Sequence, residues 1–273
     1  MADAEHSKFL AAALVVALAA FAVAGERAPV MGGHTTFVLG RDADDFVEEL
    51  SGLCLSAGRD FLWGVGDNGD FYRINFDGTY ERLWNNGLDM EGLAMDPASG
   101  VLYVAVEPNH VFALPPPYAE CGRAFDVAGA ADMGNSGIEG IAWRDGLLVL
   151  GAQSGAVVWL YSPSGEKCAK KTRLRKIAPT ISEVAGLCHE ADADRMWALD
   201  SNDNAGRPEY EPFTLYLFDG AMTRLISRYG LGDFANWNPE AVCVDRGRGC
   251  VWIAEDCGDG KPSLLHRIDF DGL

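Results

Sequence analysis

The sequence predicts an all-β chain folded as a five-bladed β-propeller of four-stranded antiparallel blades, with a six-bladed ring as the alternative. Three observations predict it. One seven-residue word occurs five times, each copy is followed in register by two further apolar β segments, and no segment beyond the N-terminal leader carries helical periodicity. The word reads ELSGLCL at 49–55, DMEGLAM at 89–95, GIEGIAW at 137–143, EVAGLCH at 183–189 and NPEAVCV at 238–244. Its third positions are Ser51, Glu91, Glu139, Ala185 and Glu240, spaced 40, 48, 46 and 55 residues apart, the length of a blade with loop insertions.

The elements follow in order within each unit. The word is the first strand. The second is a run of about five β-branched and aromatic residues, at 61–65 (FLWGV), 101–105 (VLYVA), 147–151 (LLVLG), 195–199 (RMWAL) and 250–254 (CVWIA). The third spans 71–78, 111–114, 157–165, 213–220 and 264–272, and four of these close on a glycine turn. The last unit reaches Leu273 after three strands, so the outermost strand of its blade is expected from 34–39 (HTTFVL), which pairs the two chain ends and removes an exposed edge. The propeller domain is thus read as 34–273 after a 25–33 linker, and a sixth blade would need further structure hidden in 41–48.

Residues 9–24 (FLAAALVVALAAFAVA) are an uncharged apolar run that is short for a membrane span. They end in the small-x-small residues Ala22 to Ala24, which suit signal peptidase, so the expectation is an export signal cut after Ala24, with an uncleaved membrane anchor as the alternative. The leader carries only Asp3, Glu5 and Lys8 among strongly charged residues, so the acidity belongs to the folded domain.

That acidity is large: 22 Lys+Arg against 40 Asp+Glu, a formal net charge of -18. It argues against nucleic-acid binding, which needs clustered Lys and Arg, and leaves solvation or a bound cation as readings. The apolar fraction of 48% excludes disorder. The basic run 167–176 (KCAKKTRLRK) reads as a charge-protected edge strand of the third blade, or as a contact to anionic lipid if the leader stays as an anchor. Cys54, Cys188 and Cys243 fall at the repeat position where the other copies have Ala94 and Ala142, and read as small core residues. A Cys121–Cys168 disulfide between outer segments of neighbouring blades is the one pairing considered. No zinc spacing, Ser-His-Asp order, Walker loop or dinucleotide fingerprint is present.

First strands of a propeller line its channel, so Glu91, Glu139 and Glu240 are expected to point at one axis. Three carboxylates converging in a confined space repel, and a cation resolves this. The ring offers oxygen without imidazole or thiolate, which selects a hard ion. Ca2+ is favoured over Mg2+ because it accepts irregular coordination by six to eight oxygens. Ser51 can add a hydroxyl or carbonyl oxygen and Ala185 its carbonyl.

The series Ser51, Glu91, Glu139, Ala185, Glu240 resembles the Ser, Glu, Glu, Ser, Glu order on the inner strands of the YjiK-like, SdiA-regulated propeller family. The resemblance covers nearly all of the chain after the leader, through the EGLA-type inner strands and Glu107 to Asn109 after a second strand. It implies an exported or membrane-tethered five-bladed propeller with a central Ca2+. The same order occurs in the calcium-activated nucleotidase (apyrase) propellers, which hydrolyse nucleoside di- and triphosphates. Those carry Asp-Asp-Arg after the second strand of the first blade, where this chain has GDNG at 66–69, and both families have Ser where it has Ala185.

A second polar set, Asp67, Glu107, Gln153, Ser201 and Asp256, ends the second strands on the face where the first strands begin, and is expected to ring the channel mouth. The insertions 201–212 and 255–262 reach over that face and bring Arg207 and Lys261, with Asn68 and His110 nearby, as groups able to hold a phosphate or carboxylate beside the metal. Asp67 and Asp256 are the candidate bases. The leading functional expectation is an exported or membrane-tethered, monomeric Ca2+-binding propeller that takes a small or extended ligand at its mouth. The alternatives are a Ca2+-dependent phosphohydrolase of the apyrase or phytase kind and a structural protein-interaction platform.

Overall fold

The computed structural model describes residues 27–42, 45–130, 137–169, 171–202, 212–235 and 237–273. The expected leader, 1–24, and Arg207 lie outside them. No helix among the described residues is long and apolar enough to cross a membrane.

The described chain starts with β1 (Val30–Val38) and the small hairpin of β2 (Gly40–Asp42) and β3 (Asp45–Phe46). Blade 1 is β4 (Leu50–Leu55), β5 (Leu62–Gly66), β6 (Asp70–Ile74) and β7 (Tyr80–Asn85). Blade 2 is β8 (Met90–Met95), β9 (Leu102–Val106), β10 (His110–Leu114) and β11 (Gly122–Asp126). Blade 3 is β12 (Ile138–Arg144), β13 (Leu147–Ala152), β14 (Val157–Tyr161) and a short β15 (Thr172–Arg173) from the basic run. Blade 4 is β16 (Gly186–Glu190), β17 (Arg195–Asp200), β18 (Thr214–Asp219) and β19 (Leu225–Gly230). Blade 5 takes β20 (Asn238–Asp245), β21 (Cys250–Asp256) and β22 (Leu264–Asp271), and its fourth strand is β1, antiparallel to β22. The fold is the five-bladed propeller, and 41–48 contributes a hairpin where a sixth blade would have needed more.

The strand that completes blade 5 begins at Val30, four residues before the expected start, with a register shift between Met31 and His34. Residues 30–33 are therefore strand and not linker. The pairing is reinforced from within: Thr36 Oγ1 lies 2.9 Å from His266 Nδ1, and the buried His266 Nε2 lies 2.6 Å from Glu255 Oε2. Glu255 in turn accepts the Trp237 N–H, which ties this sheet to the segment entering β20.

The core is distributed as one apolar cluster at each blade interface. Leu62, Tyr72 and Trp252 pack between blades 5 and 1; Trp63, Phe71 and Val104 between 1 and 2; Tyr103, Ile141 and Trp159 between 2 and 3. Val149, Met196 and Tyr216 fill the interface of blades 3 and 4, and Trp197, Leu217 and Ile253 that of 4 and 5. The third residue of the second-strand run supplies Trp63, Tyr103, Trp197 and Trp252, which explains its aromatic preference: a flat, half-amphipathic sheet face buries most area with a ring.

The glycine of the EGLA word has a packing cause. A Cβ built on Gly92 would lie 2.1 Å from the Glu139 carbonyl oxygen, and one on Gly186 would lie 2.6 Å from that of Glu240. Each inner strand thus touches the backbone of its neighbour where a side chain would stand. Gly92→Ala is expected to cost about 1–3 kcal/mol through overpacking. A thermal melt checks it; an unchanged Tm would show that the blades are not held at this contact.

The expected Cys121–Cys168 disulfide does not form, and all seven cysteines are free thiols. Cys121 faces blade 1, where Asn86 Nδ2 lies 3.2 Å from its sulfur, and it is turned away from the blade that carries Cys168. Cys168 donates to the Glu166 carbonyl at 3.3 Å.

Candidate metal centre

The repeat places the ring residues at a backbone irregularity. The pairing of β4 with β5 steps from Leu50 to Gly52, that of β8 with β9 from Met90 to Gly92, and that of β20 with β21 from Pro239 to Ala241. The register of β12 with β13 likewise shifts between Ile138 and Ile141. Ser51, Glu91, Glu139 and Glu240 are therefore bulge residues, freed from the ladder and re-aimed, a device common beside functional sites. Ala185 stands just before β16, its N–H donating to Leu199 O at 3.0 Å.

Ser51, Glu91, Glu139, Ala185 and Glu240 all line one cavity on the channel axis, of about 10 Å3. That is room for a single water-sized occupant and too little for an organic ligand. Glu139 is only 8% exposed and has no hydrogen-bond donor among the described residues. Glu240 accepts from Asn238 Nδ2. The Ser51 hydroxyl has one proton for two acceptors, the Glu49 carbonyl at 3.1 Å and the Glu240 carboxylate. The Glu139 and Glu240 carbonyls face the glycines of the preceding blades, which leaves their carboxylates for the cavity.

Electrostatics follows from this crowding. Burial, then Glu240 and Glu139, pushes Glu91 up to about 11. Burial and Glu240 hold Glu139 well above the usual carboxylate range. Glu240 is raised by burial to about 8, against the pull of the Ser51 hydrogen bond. No Lys or Arg among the described residues pairs with any of the three. Burial and mutual repulsion thus favour the protonated, neutral form of these three carboxyls.

Above the ring, each member of the second polar set stands beside the residue two positions before a ring residue. Asp67 N–H bonds Glu49 O at 3.2 Å, Glu107 N–H bonds Asp89 O at 3.0 Å, and Gln153 N–H bonds Gly137 O at 3.1 Å. Ser201 Oγ donates to Glu183 Oε1 at 2.7 Å, and Asp256 is the ladder partner of Asn238. The sequence reading missed Glu49, Asp89 and Glu183 at the mouth, although a polar residue two before the ring position in four of five copies was the available signal. The Glu49 and Asp67 carboxyls interact closely enough to perturb one another. Their mutual hydrogen bond raises Glu49 to about 8, and burial raises Asp67 to about 6. Asp67, Asp89 and Glu91 place one oxygen each within 4.8 Å of one another.

The remaining predicted residues divide. Ser201, Asp256 and Lys261 line a common mouth pocket of about 420 Å3 with Asn238 and Trp237, whose indole is 58% exposed and lies 4.1 Å beneath the Lys261 ammonium. Asp256 is raised by burial. Glu107 Oε1 accepts the Gly137 N–H at 3.2 Å and bridges blades 2 and 3. Asn68 is a turn residue, its Oδ1 accepting from Asp70 N. His110 is engaged by Asp126 and Arg123 on the outer side of blade 2, and the structure does not bring it to the axis.

No protein-family model matches the sequence, and no curated protein does. Solved structures share its fold. A glutaminyl cyclase from Myxococcus xanthus is similar at 15% identity and a TM-score of 0.59, over 89% of this chain and 96% of that one. A structural genomics protein of unknown function from Bacteroides thetaiotaomicron has 12% identity and a TM-score of 0.56, over 88% and 76%. A chain of a nidogen/laminin complex has 11% identity and a TM-score of 0.51, over 86% and 95%. At these identities the likeness concerns the propeller fold alone.

Proposed function

We propose that the chain is a Ca2+-binding propeller in which Ser51, Glu91, Glu139, Ala185 and Glu240 hold one ion on the axis and the mouth above it takes a ligand. The observation that carries this reading is the water-sized cavity lined by three carboxylates, Glu139 buried and Glu91 and Glu240 partly buried, with no cationic side chain among the described residues to neutralise them. Oxygen donors without sulfur or imidazole favour a hard ion, and a rigid cavity with irregular donors suits Ca2+ better than octahedral Mg2+. The resemblance of the ring series to the YjiK-like and apyrase propellers supports the same ion, and the leader sequence supports export or membrane tethering.

In that site the ion neutralises the ring and fixes the inner strands of the blades around it. The pocket of Trp237, Asp256 and Lys261 offers the mouth ligand an aromatic platform and one positive group. Calorimetry with Ca2+ on the purified protein is expected to show one ion per chain and a Tm that rises with Ca2+, by about 2.7 kcal/mol of added stability at a hundredfold excess over Kd. No heat and no Tm shift would remove the reading.

A second reading, Ca2+-dependent phosphate-ester hydrolysis, is favoured by one arrangement: Asp67 lies with Asp89 and Glu91 in one cluster of carboxylates, and, raised to about 6 chiefly by burial, it is poised to activate a water. Turnover of a phosphate-ester panel that disappears with a chelator would distinguish it from ligand binding alone.

A further inference from the structure

The channel has a second end whose chemistry is opposite to that of the carboxylate ring. Two residues beyond each ring position stand Leu53, Leu93, Ile141, Leu187 and Val242, an apolar layer at the inner side of the axial cavity. The first four also line a larger cavity of about 540 Å3 on the other side. One residue further come Cys54, Ala94, Ala142, Cys188 and Cys243, and all five line that second cavity. At about 3.3 Å per residue, the thiols lie roughly 10 Å along the axis from the carboxylates. The apolar layer separates the two ends, so the chemistry of one is independent of the other.

The thiols are held by the backbone of the inner strands: the Cys188 sulfur accepts the Val244 N–H of the next blade at 3.3 Å, and the Cys54 thiol donates to the Leu55 carbonyl at 3.5 Å. Blades 4, 5 and 1 are consecutive, so the sulfurs gather on one side of the channel while the alanines of blades 2 and 3 leave room opposite. Cys188 and Cys243 are neighbours across blades 4 and 5, since the Cys188 sulfur lies 3.3 Å from the backbone nitrogen of Val244, the residue after Cys243. Proximity to Cys243 lowers the Cys188 thiol below its ordinary value, and the Arg59 charge acts in the same direction.

We propose that this end of the channel is a soft-metal site, in which Cys188 and Cys243 bind a monovalent d10 ion of the copper(I) class and Cys54 supplies a third, adjustable sulfur. Thiolates select such ions over hard ones. Zinc needs four donors in a tetrahedron. Here the nearest imidazole, His189, is held by Asp194 at 3.0 Å, so three sulfurs are what the cavity offers. The sulfurs do not form a preformed tight triangle: the one such three-ligand group among the described residues is Asp67, Asp89 and Glu91. Cys188 and Cys243, which the Val244 N–H contact brings side by side, therefore carry the ion. On binding, two S–H bonds break, two metal–sulfur bonds form and two protons leave to solvent, with no electron transferred. Arg59, which lines the same cavity and is ion-paired with Asp245 at 3.2 Å, is the positive group nearest the bis-thiolate among the residues lining it.

The test is an anaerobic competition for copper(I) between the reduced full chain and a chromophoric copper(I) chelator, in a Cys121→Ser/Cys168→Ser background that removes two thiols outside the channel. One equivalent is expected to be withdrawn, with at least a tenfold loss of affinity in Cys188→Ser and in Cys243→Ser and a smaller loss in Cys54→Ser. Glu139→Gln should leave copper binding unchanged, since it belongs to the other end. X-ray absorption of the parent protein, which needs no channel variant, should show sulfur donors only. Absence of withdrawn copper, equal affinity in the Cys188→Ser/Cys243→Ser double variant, or nitrogen and oxygen donors around the metal would each overturn the proposal. So would a Cys188–Cys243 disulfide that resists reduction.

Discussion

Glu139→Gln is expected to weaken Ca2+ binding by at least about 30-fold, roughly 2 kcal/mol, because it removes one of three charges that the ion faces in a desolvated cavity. The same change should leave the chelated protein at least as stable as the parent. The reason lies in burial. Glu139 is 8% exposed, lacks a hydrogen-bond donor among the described residues, and faces Glu240, so its carboxyl is held protonated far above the ordinary range. At neutral pH the parent must keep a proton on a group that would release it in the unfolded chain, and that costs free energy. Glutamine has nearly the same shape and needs no proton. Melting curves with Ca2+ and with chelator therefore separate two roles: a residue serving only packing would lower both, whereas an ion ligand loses only the Ca2+-dependent rise. A variant that binds Ca2+ as the parent does would remove Glu139 from the centre.

The chelated protein is expected to lose stability as pH rises, which is opposite in sign to the usual behaviour of carboxylates. Glu91 is raised to about 11 and Glu240 to about 8, both chiefly by burial, and Glu139 is raised well above its ordinary value. Below about pH 4.5 these groups are protonated in both states and contribute nothing. Above it the unfolded chain releases protons that the folded chain retains. Unfolding then binds fewer protons on the unfolded side, and each such group lowers stability by about 1.4 kcal/mol per pH unit. For Glu240 the loss is complete near its folded value of about 8, while Glu91 continues toward 11. Saturating Ca2+ replaces the protons, so the gap between Ca2+-loaded and chelated melting temperatures should widen from about pH 6 to about pH 9. A chelated protein equally stable at both ends of that window, or a gap independent of pH, would show that the carboxylates are not charge-neutral in the empty fold.

Much of the candidate site was legible because the repeat that sets the fold also sets the positions that reach the axis. A blade's inner strand reaches the axis at the same residue of each copy, so the spacing that identifies the blades also aligns Ser51, Glu91, Glu139, Ala185 and Glu240. The mouth was legible in part. Ser201, Asp256 and Lys261 share a pocket, yet Trp237, which gives that pocket its aromatic wall, precedes the last word and has no counterpart in the other copies. Glu49 and Asp89 were overlooked because their proximity to Asp67 depends on which strand end faces which. His110 failed for a similar reason: a polar residue after a second strand can turn outward, and a neighbouring Asp126 and Arg123 decide that it does. The cysteine pairing failed on facing too, since strand order alone does not say toward which neighbouring blade an outer segment points.

The sequence by itself determined the number of blades, the order of strands within them and the axial positions, because period-two strands and a recurring glycine word carry that information locally. It also determined that oxygen donors, and no nitrogen or sulfur, stand at the ring positions. Only the tertiary structure decided that Ser51, Glu91, Glu139 and Glu240 sit on β-bulges, that the cavity they line with Ala185 has room for one water-sized occupant, and that an apolar layer divides the channel into a carboxylate end and a thiol end. Those properties depend on how closely five inner strands approach one another. That approach is fixed by backbone contacts between blades, such as Gly92 against the Glu139 carbonyl, which no single stretch of chain contains.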